Sequence, residues 1–280
     1  MTGTLHICGT PLGNLEDLTF RALRILKEAD VIAAEDTRHT LKLLNHYDVK
    51  KPLLSFHEHN WKEKLPVIMQ KLRDGQNVAL VTDAGMPCIS DPGQQLVDAC
   101  LCEGLPVTSA PGPTALATAV ALSGFPSTRF VFEGFLPRDS KRAKILQEIG
   151  AEKRAVVLYE APHHLKELLS DLLEAKGDKN VAVLRELTKI HEEIKRGTLS
   201  ELLAHFKENE PKGEFVVILA PDPEAVANVV ADTKKLQDLP VSEHMDFYLK
   251  NGMDKKEAMK QVAKDRGVSK SAIYSELLSD

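Results

Sequence analysis

Short β-branched and apolar runs alternate along the chain with stretches in which apolar positions recur every three or four residues. That alternation predicts α/β units built on mainly parallel strands. Strand candidates are Leu5–Cys8, Val31–Ala34, 53–56, 77–81 and Val107–Ala110. The first helix is the best marked. Thr19 is placed to cap it, Leu18 and Leu23 are spaced for a hydrophobic staple across the cap, and Leu23 and Leu26 open its buried face.

A second series of strands is expected at 129–135, 155–159, 181–184, 192–197 and 215–220, with a basic stretch over 136–145 after the first of them. Little helix separates the strands after Val181, which predicts a mixed, partly antiparallel sheet. Beyond Pro221 no strand pattern is visible, and the chain past Pro240 reads as short helices. The expected organisation is an N-terminal α/β domain over 1–123, a second α/β domain over 124–221, a linker over 222–239 and a helical unit over 240–280. Asp254 with Glu257 is placed to cap a helix there, and Ala263, Gly267 and Ile273 fall at the helix, turn and helix positions of a helix-turn-helix.

Composition narrows the class. Of the 280 residues, 43% are hydrophobic and 28% charged, as in globular proteins with a full core. No apolar run reaches the roughly 20 residues of a membrane span, and the N-terminus lacks the pattern of a signal peptide, so a cytoplasmic protein is expected. Cys8, Cys88, Cys100 and Cys102 are too few for a disulfide framework and read as buried free thiols. A formal net charge of −5 argues against indiscriminate coating of nucleic acid, which rests on Lys and Arg neutralising phosphates. Local basic patches stay compatible with RNA contact.

Three glycine- and proline-rich loops each follow an expected strand and precede a helix: 9–19 (GTPLGNLEDLT), 83–93 (DAGMPCISDPG) and 110–119 (APGPTALATA). In an open α/β sheet such loops lie at the carboxyl ends of strands, where ligands bind. None spells a dinucleotide fingerprint or a Walker A loop, so the usual phosphate cradles are missing. In the central loop two Asp, two Gly and two Pro prescribe a rigid backbone, and Asp83 with nearby carbonyls suits a cationic sulfonium better than a phosphate. In the third, Pro113 is expected in the first helical turn, and Thr114 offers a hydroxyl and an amide at the helix start.

Together GTPLGNLEDLTFRAL, AEDTR (34–38), DAGMPCISDPG, PGPTALATAVALSG, FEGFLPR (132–138), YEAPHHL (159–165), RELTKIHEE (185–193) and KGEFVVILA (212–220) resemble the ribosomal RNA small subunit methyltransferase I family, in order from Gly9 to Ala220. The resemblance implies a tetrapyrrole methylase fold of two α/β domains, S-adenosylmethionine in the cleft between them, a homodimer, and 2′-O-methylation of a cytidine in the decoding region of 16S rRNA within the small ribosomal subunit. It carries cofactor contacts onto Pro11, Leu12, Gly13, Asp83, Gly85, Met86, Ile89, Thr114 and Ala115. In the second domain it suggests Tyr159, Leu187, Gly213 and Glu214.

Methyl transfer from a sulfonium needs no metal; it needs an oxygen held in line with the methyl group, and help in losing its proton. The candidates are Glu35, Asp36 and Arg38 at the end of the second strand, with Lys189 as a further one. An Asp36 to Arg38 ion pair that merely shapes the loop is an equal reading. His57 and His59 have metal-like spacing without a third ligand, and Asn60 with Glu63 is spaced for a capping box. Arg138, Lys141, Arg142 and Lys144 form a basic run that reads as an RNA contact or as a solvated helix face. Lys256, Lys260 and Lys270, in a stretch with a local excess of positive charge, are further RNA candidates. Two other functions compete: a tetrapyrrole methyltransferase of the same fold, and a non-catalytic nucleic-acid-binding regulator.

Overall fold

The computed structural model describes residues 2–223, 236, 239–250 and 253–277. The chain divides into two compact units, Met1–Ala220 and Pro221–Asp280. The first contains two sheets. Strands β1 (Leu5–Cys8), β2 (Val31–Ala34), β3 (Leu53–Ser55), β4 (Val78–Val81) and β5 (Val107–Ala110) form an all-parallel sheet in the order β3-β2-β4-β1-β5. Strand β4 inserts between β2 and β1, so the three loops of interest leave three neighbouring strands, β4, β1 and β5. This topology brings together segments separated by about a hundred residues.

Both faces of the sheet are covered, which explains the near-continuous apolar character of β2 and β4, buried at every position. Helix α1 (Phe20–Glu28) is capped by Thr19, whose hydroxyl accepts from the Ala22 amide at 3.1 Å. Leu18 and Leu23 each pack against the cluster that holds Leu26 and Leu44. On the opposite face lie α3 (Trp61–Arg73) and α4 (Gln94–Cys102), whose Ile68, Leu72 and Leu96 join Leu5, Val78 and Leu80. The remaining helix of this half before the second sheet is α5 (Ala115–Ser123); α2 spans Thr37–His46.

Two local expectations change here. Asn60 does not cap α3: its Oδ1 accepts from the His57 amide at 2.8 Å and its Nδ2 donates to the Ser55 hydroxyl at 3.1 Å. Glu63 pairs with Lys64 instead, because the preceding turn has already taken the asparagine. Cys102, at the last turn of α4, is exposed, and Cys88 is half-buried, so only Cys8 and Cys100 are buried thiols.

The second sheet has the order β6-β7-β10-β8-β9, from β6 (Phe130–Phe135), β7 (Ala155–Glu160), β8 (Asn180–Arg185), β9 (Glu193–Thr198) and β10 (Phe215–Leu219). Strands β6 and β7 are parallel and the other pairs antiparallel. Helices α6 (Lys141–Ala151), α7 (Leu165–Lys176) and α8 (Leu199–Glu208) bury one face around Leu158, Leu168, Val183 and Phe206. The other face packs Val157, Leu184 and Val216 against Ala119 of α5. Helix α5 thus belongs by sequence to the first sheet and by packing to the second.

Most of the linker expected over 222–239 lies outside the described residues. In the second unit, α9 (Val241–Lys250), α10 (Lys255–Arg266) and α11 (Lys270–Leu277) enclose Val241, Met245, Ala258, Val262, Ala263 and Ile273. Asp254 caps α10, accepting from the amides of Lys256 and Glu257 at 2.8 Å each. Gly267 follows that helix at φ +67°, a left-handed position that suits glycine. Among the described residues no helix is long and apolar enough to cross a membrane.

Candidate active site

The three loops are tied to one another by backbone. Thr10 donates its amide to the Gly85 carbonyl at 2.9 Å and accepts the Gly85 amide at 3.0 Å, while its hydroxyl donates to the Thr82 carbonyl at 3.0 Å. A Cβ on Gly9 would lie 2.7 Å from the Gly112 Cα, so the first and third loops touch main chain to main chain. The central loop holds Gly85, Cys88, Ser90 and Gly93 at positive φ, a run of turns that keeps its short length rigid.

Past these loops opens a cavity of about 480 Å³, between the carboxyl ends of the first sheet and β7, β8 and β10 of the second. Leu12, Asp83, Gly85, Met86, Ile89, Thr114 and Ala115 line it from the first sheet, and Tyr159, Leu187 and Glu214 from the second. Thr114 is the cap of α5, accepting from the Ala117 amide at 3.1 Å; Pro113 precedes the cap and so lies before the first helical turn. The Tyr159 hydroxyl accepts from the Leu116 amide at 2.9 Å and fastens β7 to the start of α5. Burial pushes its phenol up to about 12, and the nearby Asp91 adds to the shift against the lowering effect of that amide.

Pro11, Gly13 and Gly213 do not line the cavity. The two glycines instead make room for their neighbours. A Cβ on Gly13 would meet Lys189 Cγ at 2.3 Å, and one on Gly213, at φ +87°, would meet Glu186 Cγ at 2.5 Å. Lys189 Nζ donates to Glu186 Oε1 at 2.9 Å and Glu214 Oε2 at 2.8 Å.

Residues 4–203 match the family of tetrapyrrole (corrin/porphyrin) methylases. The chain is 52% identical over 218 residues to the ribosomal RNA small subunit methyltransferase I of Thermotoga maritima, covering 78% of this chain and 98% of that relative. It is 47% identical over 274 residues to the protein of the same name from Halalkalibacterium halodurans, covering 98% and 94%. This chain belongs to the ribosomal RNA small subunit methyltransferase I family. The fold is that of the wider methylase group: uroporphyrin-III C-methyltransferase from Thermus thermophilus, solved with S-adenyl homocysteine, superposes with a TM-score of 0.55 at 19% identity, over 77% of this chain and 96% of that one.

Within this family member the catalytic candidates separate. Glu35 lines the cavity, where its Oε2 accepts the Thr82 hydroxyl at 2.5 Å and the Asp83 amide at 3.5 Å. Asp36 and Arg38 do not line it. Asp36 caps α2 through the Arg38 amide and binds the Arg38 guanidinium at 2.8 Å. That guanidinium hydrogen bond is the main reason the Asp36 carboxyl is held down to about 2, which makes it a weak base. Lys189 lines the cavity but is held cationic: partial burial works to lower its pKa and is outweighed by the hydrogen bonds to Glu214 and Glu186. A lysine kept protonated cannot accept the substrate's proton.

The basic run at the start of α6 also divides. Arg138 pairs with Glu160 at 2.7 Å and Glu167 at 3.2 Å, holding β7 to α7, and the half-buried Arg142 pairs with Asp171 at 2.7 Å, holding α6 to α7. Lys141 and Lys144 are exposed, the latter 3.8 Å from Glu148. Lys256, Lys260 and Lys270 are all exposed on the C-terminal unit. Among the described residues no three His, Cys, Asp or Glu side chains come together as a metal site.

Sequence reasoning left out Asp91, Phe135, Glu160, Leu184 and Val216, which also line the cavity. Asp91 and Phe135 lie inside the motifs already singled out, DAGMPCISDPG and FEGFLPR. Leu184 and Val216 stand opposite each other in register, a pairing visible only once β8 and β10 are known to be neighbours.

Proposed function

We propose that this protein transfers the methyl group of S-adenosylmethionine to the ribose 2′-hydroxyl of a cytidine in the decoding region of 16S rRNA, acting as a homodimer on the small ribosomal subunit. One observation carries the reading: a cavity of about 480 Å³ whose apolar wall faces the carboxylates of Glu35, Asp83 and Asp91, and whose one lining cation among the described residues, Lys189, is neutralised by two glutamates. That lining suits a sulfonium cation with a flat apolar nucleoside and repels phosphates or a polycarboxylate macrocycle. The donor supplies an electrophilic methyl when bound. Leu12, Met86, Ile89 and Leu187 would hold its apolar surface, and Asp83 would face its charge. The names of the relatives support an rRNA substrate, and Glu35, locked by Thr82, is placed to orient an incoming hydroxyl.

Calorimetry with S-adenosylmethionine, followed by tritiated methyl transfer to small subunits and to naked rRNA from cells lacking the enzyme, tests this reading. Cofactor binding and label in the rRNA of either substrate are expected; absence of binding would leave the regulator reading in its place. Light scattering tests the dimer, which would cover side chains such as Phe20, 94% exposed at the start of α1.

The C-terminal unit presents Lys256, Lys260 and Lys270 as an RNA-docking surface in this proposal. The Thermotoga maritima relative is matched over nearly its whole length by 218 residues, close to the size of the first unit, so catalysis in the family is compatible with lacking such an appendix. Truncation after Lys234 is expected to leave cofactor affinity unchanged and to raise the subunit concentration needed for half-maximal rate by roughly tenfold, with a shallower salt dependence. An unchanged rate at limiting substrate would remove the unit from substrate engagement.

A further inference from the structure

Resting on the methyl-transfer reading above, we propose that Asp91 is the proton acceptor for the attacking hydroxyl, with Glu35 as a neighbouring negative charge rather than the base. Three carboxylates, Glu35, Asp83 and Asp91, reach the cavity from the ends of β2 and β4. Two are already in use. Glu35 Oε2 accepts from Thr82 and from the Asp83 amide, and Asp83 Oδ1 accepts from the Asp36 amide at 3.1 Å. Asp91 has no ion-pair partner among the described residues, and its hydrogen-bonding neighbour is the same Thr82 hydroxyl that already serves Glu35. A single hydroxyl proton cannot satisfy both carboxylates, so of these three Asp91 is the one left with capacity to take a proton; the other lining carboxylates are each held by a cation, Glu160 by Arg138 at 2.7 Å and Glu214 by Lys189 at 2.8 Å.

The loop cannot easily swing Asp91 away. Immediately before it Ser90 is at φ +62° with its hydroxyl against Gly134, where a Cβ would come within 2.6 Å. Two residues after it Gly93, at φ +137°, lies where a Cβ would strike Leu80 and Cys88 at 2.6 and 2.7 Å. The charged and titratable groups around Asp91 are Glu35 from the end of β2, Asp83 and Cys88 from its own loop, Tyr159 and the Arg138-paired Glu160 from β7, and the paired Lys189 with Glu214 across the cavity. Burial, then the negative charge of Glu35, pushes the Asp91 carboxyl up to about 7 against the lowering effect of Thr82, within the range where a base works at neutral pH.

In the step itself, the hydroxyl O–H bond breaks and its proton passes to an Asp91 carboxylate oxygen. A new bond forms between that hydroxyl oxygen and the methyl carbon as the carbon–sulfur bond breaks, its electron pair staying on sulfur and cancelling the sulfonium charge. Asp91 then loses the proton to solvent through the open side of the cavity. No further reactant is needed.

Two measurements test the assignment. Single-turnover transfer by the wild type is expected to rise about tenfold per pH unit below about pH 7 and level off above it. Asp91→Asn should lower the rate by at least about 100-fold and flatten that slope, whereas Glu35→Gln should lower the rate and keep the slope. The second readout needs no substrate. A carboxyl raised in the folded state from 3.8 to about 7 contributes stability that is present below the unfolded value and lost as pH rises through the folded one. The Tm of Asp91→Asn relative to wild type should therefore be higher at pH 8 than at pH 5. A flat wild-type profile between pH 5.5 and 8, a rate within about twofold of wild type for Asp91→Asn, or a Tm difference independent of pH would each overturn the assignment. Wild type that transfers no methyl group would sink the methyl-transfer reading itself, a distinct failure.

Discussion

Replacing Gly85 with Val is expected to weaken S-adenosylmethionine binding by about ten- to a hundredfold, or about 1.4–2.7 kcal/mol. Gly85 sits at φ +87° and exchanges both backbone hydrogen bonds with Thr10, so the strand-like bridge between the first two loops fixes its conformation. A β-branched residue there costs about 1–3 kcal/mol of backbone strain. Its Cβ would also lie 3.2 Å from Leu12 Cδ2, and the further Val methyls would push Leu12 into the cavity it lines. Gly85→Ala should show most of the strain with less of the crowding, so its loss of affinity should be smaller than its loss of Tm suggests. Calorimetry and thermal melts separate the two. A folded Gly85→Val protein with wild-type affinity would mean that the cofactor does not sit against this loop.

Arg138→Ala is expected to destabilise the first unit by about 2–4 kcal/mol, the cost of leaving a buried carboxylate without its cation. Glu160 is only 2% exposed, and its Oε1 accepts from both Arg138 and the Ala161 amide. The other oxygen, Oε2, has no partner among the described residues, so losing the guanidinium leaves the charge supported by one amide alone. The guanidinium itself is 40% exposed, and solvent screening places the expected cost below that of a fully buried pair. The double replacement Arg138→Met with Glu160→Leu should recover much of the loss, because removing both charges removes the desolvation problem. Chemical denaturation of the two variants and the wild type measures this. If Arg138→Ala retains wild-type stability but weakens RNA binding, Arg138 belongs to the RNA surface and not to the scaffold.

The strands were legible because their apolar runs are short and bounded by glycine, proline, asparagine or, for β2, by Asp30 and Glu35; each expected strand of the first sheet lies within one residue of the observed one. Thr19 and Asp254 were legible as caps because the helices they cap begin directly after them. Asn60 was not, since its side chain serves the turn before the helix, and nothing in the spacing to Glu63 reveals that competing bond. The basic run over 138–144 looked like one surface because its acidic partners, Glu160 and Asp171, lie 22 and 29 residues further on. The acid cluster is hidden for the same reason. Asp83 and Asp91 share a loop in the sequence, but Glu35 joins them only because β4 inserts beside β2. Lys189 stood as a catalytic candidate because the approach of Glu214, 25 residues further on and next to β10, is not visible in the sequence.

The central claim is tested most directly by digesting small-subunit rRNA to nucleosides and measuring them by mass spectrometry, after incubation of subunits from cells lacking the enzyme with this protein and S-adenosylmethionine carrying a deuterated methyl group. One labelled nucleoside is expected, a cytidine about 17 mass units heavier because a CD3 group replaces one hydrogen, with the label retained on the ribose fragment. Label on a base fragment, label on a nucleoside other than cytidine, or no label in rRNA alongside intact cofactor binding would contradict it.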